Sequence, residues 1–220
     1  MSDTRDRILQ IATAEFLKDG YSRVKTEYLA NLLGISKRTL YKHFPSKKSL
    51  FSEIVRNGLK AEKANTQVIF DRISSDKSAD LINEIRNIWK SMIKSRMHIS
   101  RAFFDDIRKY TPDIWDEMQE FNGKEMRNNF EIIFNAGINQ GIFCKDINKE
   151  LIFLIHHHTF QNIFTSEYSK NMSLSIHEIV TQFIEIIFLG IMNDNARKKF
   201  IDKFSDYEEL TSQINNNPSI

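Results

Sequence analysis

Ser36-Lys37-Arg38-Thr39-Leu40-Tyr41-Lys42-His43-Phe44 is the stretch whose reading decides the fold. Ser36 suits an N-cap, because its hydroxyl can accept from an orphan backbone N–H of the first helical turn. Leu40 and Phe44 lie four apart, so they share a helix face that can pack on neighbours. Arg38, Tyr41 and Lys42 then point elsewhere, with Lys37 and Thr39 on the first turn. A cationic, hydroxyl-bearing face opposite an apolar one suits a major groove, since cations neutralise phosphates and Arg can read guanine bidentately. Just upstream, Thr26 to Leu33 reads as a short helix with Thr26 as its N-cap. Gly34 follows, the residue type that ends a helix in left-handed backbone, and Ile35 plugs the corner. Helix, Gly-centred turn and second helix form the signature of a helix-turn-helix, with residues 36–44 as its recognition helix.

Gly20-Tyr21, Thr26, Leu29-Ala30, Gly34-Ile35-Ser36, Thr39-Leu40-Tyr41, His43-Phe44, Ser46-Lys47 and Leu50-Phe51 together resemble the DNA-binding domain of TetR-type transcriptional regulators, over about residues 5 to 55. Two positions depart from the pattern. Arg38 stands where many members have Gly, adding a possible base reader, and Leu33 stands where a small residue is usual. The resemblance implies an all-α fold: a three-helix helix-turn-helix domain at 1–50 and a larger helical ligand-binding and dimerisation domain at 51–220, with about nine or ten helices in total. It also implies a DNA-facing set of Thr26, Ser36, Lys37, Arg38, Thr39, Tyr41, Lys42, His43 and Lys47, the last on a phosphate. The expected function is a DNA-binding regulator, a repressor on a palindromic double-stranded operator, released by a small apolar or aromatic effector.

Charge is distributed unevenly. Residues 1–60 hold twelve Lys/Arg against six Asp/Glu, and the remainder nineteen against twenty-three, so a basic module precedes an acidic body. With 220 residues and 41% hydrophobic content, the chain can bury a sizeable core. Seven Gly and three Pro leave few turns, which fits long helices joined by short loops. A single cysteine, Cys144, forms no internal disulfide and suits a reducing cytoplasm. The polar N-terminus lacks a signal core, and no run of eighteen apolar residues exists, so neither export nor membrane spanning is expected.

Along the chain, Thr4 is placed to cap a first helix ended by Gly20, with Ile8, Ile11, Ala12 and Phe16 as its buried stripe. Its Arg5 and Arg7 read either as phosphate contacts or as solvated charge. Pro45 closes the recognition helix, and Ser46 caps a fourth helix running to about Asn65 or Phe70. Lys47 and Lys48 in its first turn oppose the helix dipole, which suggests a bound anion such as a DNA phosphate. Ser78 is expected to cap a helix carrying Leu81 to Ile93, followed by a short helix over Ile99 to Tyr110. Thr111-Pro112 restarts a helix, Gly123 marks a bend or break, and Gly141 ends the segment. Asp146 or Asn148 caps the next helix. The helices around 148–167 and 176–192 are apolar on more than one face, so they are expected to form a homodimer joint. An amphipathic segment with Phe200, Phe204, Tyr207 and Leu210 closes the chain.

For the effector, the pattern offers Trp89, Phe103, Phe104, Trp115, Met118, Phe121, Phe160 and Phe164 as pocket residues, or as plain core. Asp105, Asp106 and Arg108 read either as ligand contacts or as a solvated, ion-paired face. His156, His157 and His158 are consecutive, so they cannot converge on one ion, and neither a metal nor a cofactor is expected. One of them, or Cys144, remains open as a sensing residue. Two other readings stand beside the ligand-controlled regulator. In one, a protein partner controls the DNA reader. In the other, Asp105 or Asp106 works with a His as an acid–base pair, although no nucleophile elbow or phosphate loop is present.

Overall fold

The computed structural model describes residues 4–96, 99–163, 173–174 and 176–201. These form α1 (Thr4–Arg23), α2 (Thr26–Leu33), α3 (Lys37–His43), α4 (Lys47–Ser75), α5 (Leu81–Arg96), α6 (Arg101–Tyr110), α7 (Pro112–Asn139), α8 (Lys149–Ile163) and α9 (Ile176–Ile191), followed by a helical stretch at 194–201. Among the described residues there is no strand; Phe143 and Met192 make one isolated bridge. The all-α architecture read from the sequence is therefore the observed one.

Local chemistry sets most boundaries. Ser46 and Ser49 form a reciprocal capping box at the start of α4, each side chain bonded to the other's backbone N–H. Ser100 caps α6, accepting from the Phe103 N–H. Asn148 caps α8, its Oδ1 accepting from the Leu151 N–H at 3.0 Å. Pro112 occupies the first turn of α7, where its missing N–H costs nothing. Gly20 interrupts α1 with a φ of 79° and a ψ of 170°, and one further turn continues to Arg23.

Tertiary packing overrides other sequence-level expectations. Thr26 is not the N-cap of α2: Lys25 holds that place without a side-chain bond, and Thr26 is buried one position on. Ser78 does not cap α5 either. It donates to Asp76, and Asp80 accepts from the Asn83 N–H at 3.2 Å instead. The helix α4 runs past Phe70 to Ser75, because Phe70 and Ile73 are buried in the body. It also crosses the expected domain boundary at 50/51 in one unbroken span. Gly123 does not break α7, which runs through it from Pro112 to Asn139. A mid-helix Gly costs only about 1 kcal/mol, a cost that the tertiary packing of a long helix can offset. Residues 164–167 of the expected dimer helix, and Phe204, Tyr207 and Leu210 of the closing segment, lie outside the described residues.

Two apolar cores result. One holds Ile8, Phe16, Leu29, Leu40, Leu50 and Phe51 of α1–α4. The other gathers Phe70, Leu81, Ile85, Phe134, Ile184 and Phe200. The join between them is α6. Phe103 enters the first core, edge-on to Phe51 at 5.4 Å, while its neighbour Phe104 enters the second. Successive helical side chains diverge by about 100°, so adjacent aromatics can serve two cores. Ile107 and Ile114 also belong to the first core, so the body is built into the packing of the N-terminal helices.

Candidate nucleic-acid interface and ligand cavities

The turn between α2 and α3 closes as the sequence requires. Gly34 lies in the left-handed region at φ 66°, a conformation an L side chain resists, and Ile35 N–H reaches back to Ala30 O at 3.0 Å. Ser36 Oγ accepts from Thr39 N–H at 3.0 Å and starts α3. Leu40 and Phe44 are buried. Lys37, Arg38, Tyr41 and Lys42 are exposed on the other side, with Thr39 and His43 half-buried beside them.

Inner contacts position this face. The Tyr41 hydroxyl donates to Thr26 Oγ1 at 3.3 Å, so buried Thr26 supports Tyr41 from below. Lys37 pairs with Glu27 of α2, whose carboxyl is held below its usual range chiefly by that bond. Lys47, the first residue of α4, lies with its Nζ 4.2 Å from the centre of the Tyr21 ring. Burial pushes its ammonium pKa down, against the opposing pull of Asp106. A partly desolvated ammonium at a helix N-terminus is a strong point for an anion. Arg5 is occupied otherwise: it makes two bonds to Glu53, at 2.6 and 2.7 Å, and stacks over Phe44. That bonding favours the structural reading of Arg5.

Two cavities lie behind the reader. The larger, about 450 Å³, is walled by Thr13 and Leu17 of α1 and by residues of α4, α6 and α7. Phe103, Phe104, Trp115 and Met118, four of the residues expected to meet an effector, line it together with His157. The smaller, about 190 Å³, lies among α4, α5, α7, α8 and α9, with Phe130, Phe134, Phe143, Phe188 and His156 in its wall. Leu59, Glu62 and Met126 line both. Phe164 lies outside the described residues, as do the side chains of Trp89, Phe121 and Phe160.

The three histidines divide as helical spacing dictates: His156 faces one cavity, His157 the other, and His158 is exposed. Burial, and then the His157 charge, push His156 down to about 4. His157 is lowered by burial and then by His158. Among the described residues, no three His, Cys, Asp or Glu side chains gather as a metal would need. Asp106 is not part of a solvated face. It is buried and accepts from Ser22 N–H and Oγ at 2.7 and 2.9 Å. Sequence reasoning missed this bond and the α1 wall of the larger cavity, because both need residues some eighty positions apart to meet.

Residues 8–54 match the family described as bacterial regulatory proteins, tetR family. The chain is 24% identical over 198 residues to the HTH-type transcriptional repressor KstR2 of Mycolicibacterium smegmatis, covering 88% of this chain and 93% of that protein. It is 25% identical over 191 residues to the HTH-type transcriptional regulator QacR of Staphylococcus aureus, covering 85% and 97%. A TetR-family regulator from Marinobacter aquaeolei superposes with a TM-score of 0.68 at 18% identity, over 93% of this chain and 98% of that one. This last likeness is one of fold. Among the described residues, no helix is long and apolar enough to cross a membrane.

Proposed function

We propose that the chain, whose residues 8–54 match the tetR family of bacterial regulatory proteins, is a repressor that binds a palindromic operator as a homodimer and leaves it when a small apolar ligand enters the helical body. Residues 1–50 act as the reader and 51–220 as the sensing and dimerising part, with α4 running through both. The observation that carries the reading is the solvent face of α3, where Lys37, Arg38, Tyr41 and Lys42 stand clear of the core on a helix fixed by Ser36 and Gly34.

In this reading Thr39, Tyr41, Lys42, His43 and the Ser36 end of α3 lie in the major groove. Arg38 reads a base, Lys47 and the α4 N-terminus hold a phosphate, and Thr26 orients Tyr41. One such helix covers a few base pairs, so two copies on a two-fold axis are needed for tight binding. The helices α8 and α9 supply the joint. Leu151, Leu154 and Ile155 are exposed on one face of α8, and Ile186 on α9 is 69% exposed. Apolar side chains at that spacing on a water-facing surface suit a self-complementary interface. The two cavities favour a small effector over control by a protein partner, because they offer apolar walls inside the body. The protein acts where its DNA lies, in the cytoplasm.

A binding titration on DNA flanking the protein's own gene, with a scrambled duplex as control and at two salt concentrations, tests this. Tight binding that protects a short palindrome is expected. Weak binding, equal on both duplexes and lost with salt, is the purely electrostatic result and would overturn the specific-operator reading.

A further inference from the structure

The two cavities lie in series along one helix. Their lining begins at Ile54 of α4 in the larger and ends at Phe70 in the smaller, and at 1.5 Å per residue that span is roughly 24 Å. The waist between them is Leu59, Glu62 and Met126. Glu and Met are unbranched and rotate readily, so side-chain motion alone can open a passage. A ligand that used one cavity would leave the other apolar wall uncovered, whereas a long one covers both.

The walls also select charge. Among the described residues, their charged side chains are Glu62, Glu125 and Lys63, and Lys63 pairs with Glu125 at 2.8 Å. Among the described residues the walls thus carry more carboxylate than ammonium, and their two histidines, His156 and His157, are held towards the neutral form by burial, so a carboxylate or phosphate meets no net positive charge there and its burial is strongly unfavourable. Neutral polar groups are present instead. Thr13 and Gln119 line the larger cavity, with Asn57 and Asn65 at its exposed side. They suit a hydroxyl or carbonyl group.

We propose that the effector is one elongated, uncharged, mainly apolar molecule with a neutral polar group, lying along α4 through both cavities with one end against Thr13 and Leu17 of α1. The proposal rests on the reading of the chain as a ligand-controlled regulator. That end reaches the DNA reader directly. Leu17 O accepts from Ser100 N–H at 2.8 Å, so the ligand terminus sits beside a bond that ties α1 to the start of α6. A molecule seated there bears on α1 itself and needs no relay through the dimer joint.

The test uses n-alkanols of graded length and the n-alkanoates of matching length, titrated calorimetrically against the full chain, with operator release followed in parallel. Alkanol affinity is expected to rise about fourfold per methylene until both cavities are filled. Alkanoates of equal length should bind at least tenfold more weakly, and only alkanols long enough to span the waist should release DNA. Gln119→Trp narrows the larger cavity, and Ile133→Trp, at a wall residue of α7, narrows the smaller. Each should weaken the longest alkanol at least tenfold with melting temperature and ligand-free operator affinity kept. An absence of alkanol binding overturns the proposal. So does an affinity that stops rising within one cavity's length, an alkanoate that binds as tightly, or a longest alkanol weakened by only one variant. The ligand titration decides this proposal, and ligand-free operator binding decides the regulator reading, so the two fail separately.

Discussion

Asp106 of α6 and Ser22 at the end of α1 are joined twice: Asp106 Oδ2 accepts from the Ser22 N–H at 2.7 Å and from its hydroxyl at 2.9 Å. The carboxylate is buried and caps the last turn of α1, just beyond the kink at Gly20. Gly20 is needed there on two counts. Its φ is 79°, and a Cβ in its place would lie 2.7 Å from Asp106 Oδ2. The bond therefore fixes the rear of the DNA reader to the helix that also walls the larger cavity.

Asp106→Ala should cost about 2 kcal/mol, the scale of a lost pair of bonds to a charged acceptor. Asp106→Asn keeps a carbonyl acceptor and should cost less. Gly20→Ala should be destabilising by at least about 1 kcal/mol, from strained backbone and the clash. Urea unfolding of the three variants checks this. Wild-type stability in Asp106→Ala would show that the bond holds nothing in place.

On the DNA face, Lys47→Ala and Tyr41→Ala should each weaken operator binding at least tenfold while leaving the melting temperature near wild type. The reason is that neither side chain belongs to the apolar core of the reader: Tyr41 is exposed and donates to Thr26 at 3.3 Å, and Lys47 rests its ammonium over the Tyr21 ring. Lys47→Ala should also lower the salt slope by about one, as loss of one phosphate contact requires. Arg38→Ala should relax preference at one base, worth about 1–3 kcal/mol of discrimination. An operator profile identical to wild type would remove Arg38 from the list of base readers.

Features fixed by neighbours in sequence were legible, and features fixed by distant packing were not. Ser36, Gly34 and Ser46 act through backbone groups within a few residues, and each sits where its chemistry places it. Thr26 has the same chemistry but is buried, so its hydroxyl serves Tyr41 instead of capping α2. The far end of α4 was hidden because the polar run from Lys60 to Gln67 masks Phe70 and Ile73, whose burial extends the helix. Phe103 and Trp115 stood out as aromatic. That Phe103 both fills the reader core and walls a cavity depends on α6 meeting α1 and α4. The Asp105-Asp106 doublet reads as surface charge until Ser22 is brought to it.

Stability should fall on acidification through His156. Its folded pKa, pushed down to about 4 by burial, lies below the 6.5 of the free side chain. Above pH 6.5 neither state binds the proton, and the full stability is present. Between 6.5 and 4 the unfolded chain takes up a proton that the folded one refuses, so stability is lost as pH falls, by up to about 3 kcal/mol. His157, also lowered, acts in the same direction. His156→Phe should flatten much of the slope across that interval. Denaturation midpoints measured from pH 7.5 to 4.5 in both proteins give the comparison, and an unchanged slope in the variant would place the acid sensitivity elsewhere.

The proposed dimer joint predicts a separation of assembly from folding. Leu154 is 52% and Ile186 69% exposed, so neither contributes much to the core of a single chain. Charged substitutions at such positions normally change monomer stability by no more than about 0.5 kcal/mol. Leu154→Glu and Ile186→Glu should therefore leave secondary structure intact. Each would bury a carboxylate at a two-fold interface, where the same residue meets its own symmetry mate or its surroundings without a counterion. Sedimentation should show the mass halved, and operator affinity should fall at least a hundredfold, since the second half-site contact is no longer intramolecular. A variant that keeps both the dimer mass and the operator affinity would move the joint away from α8 and α9.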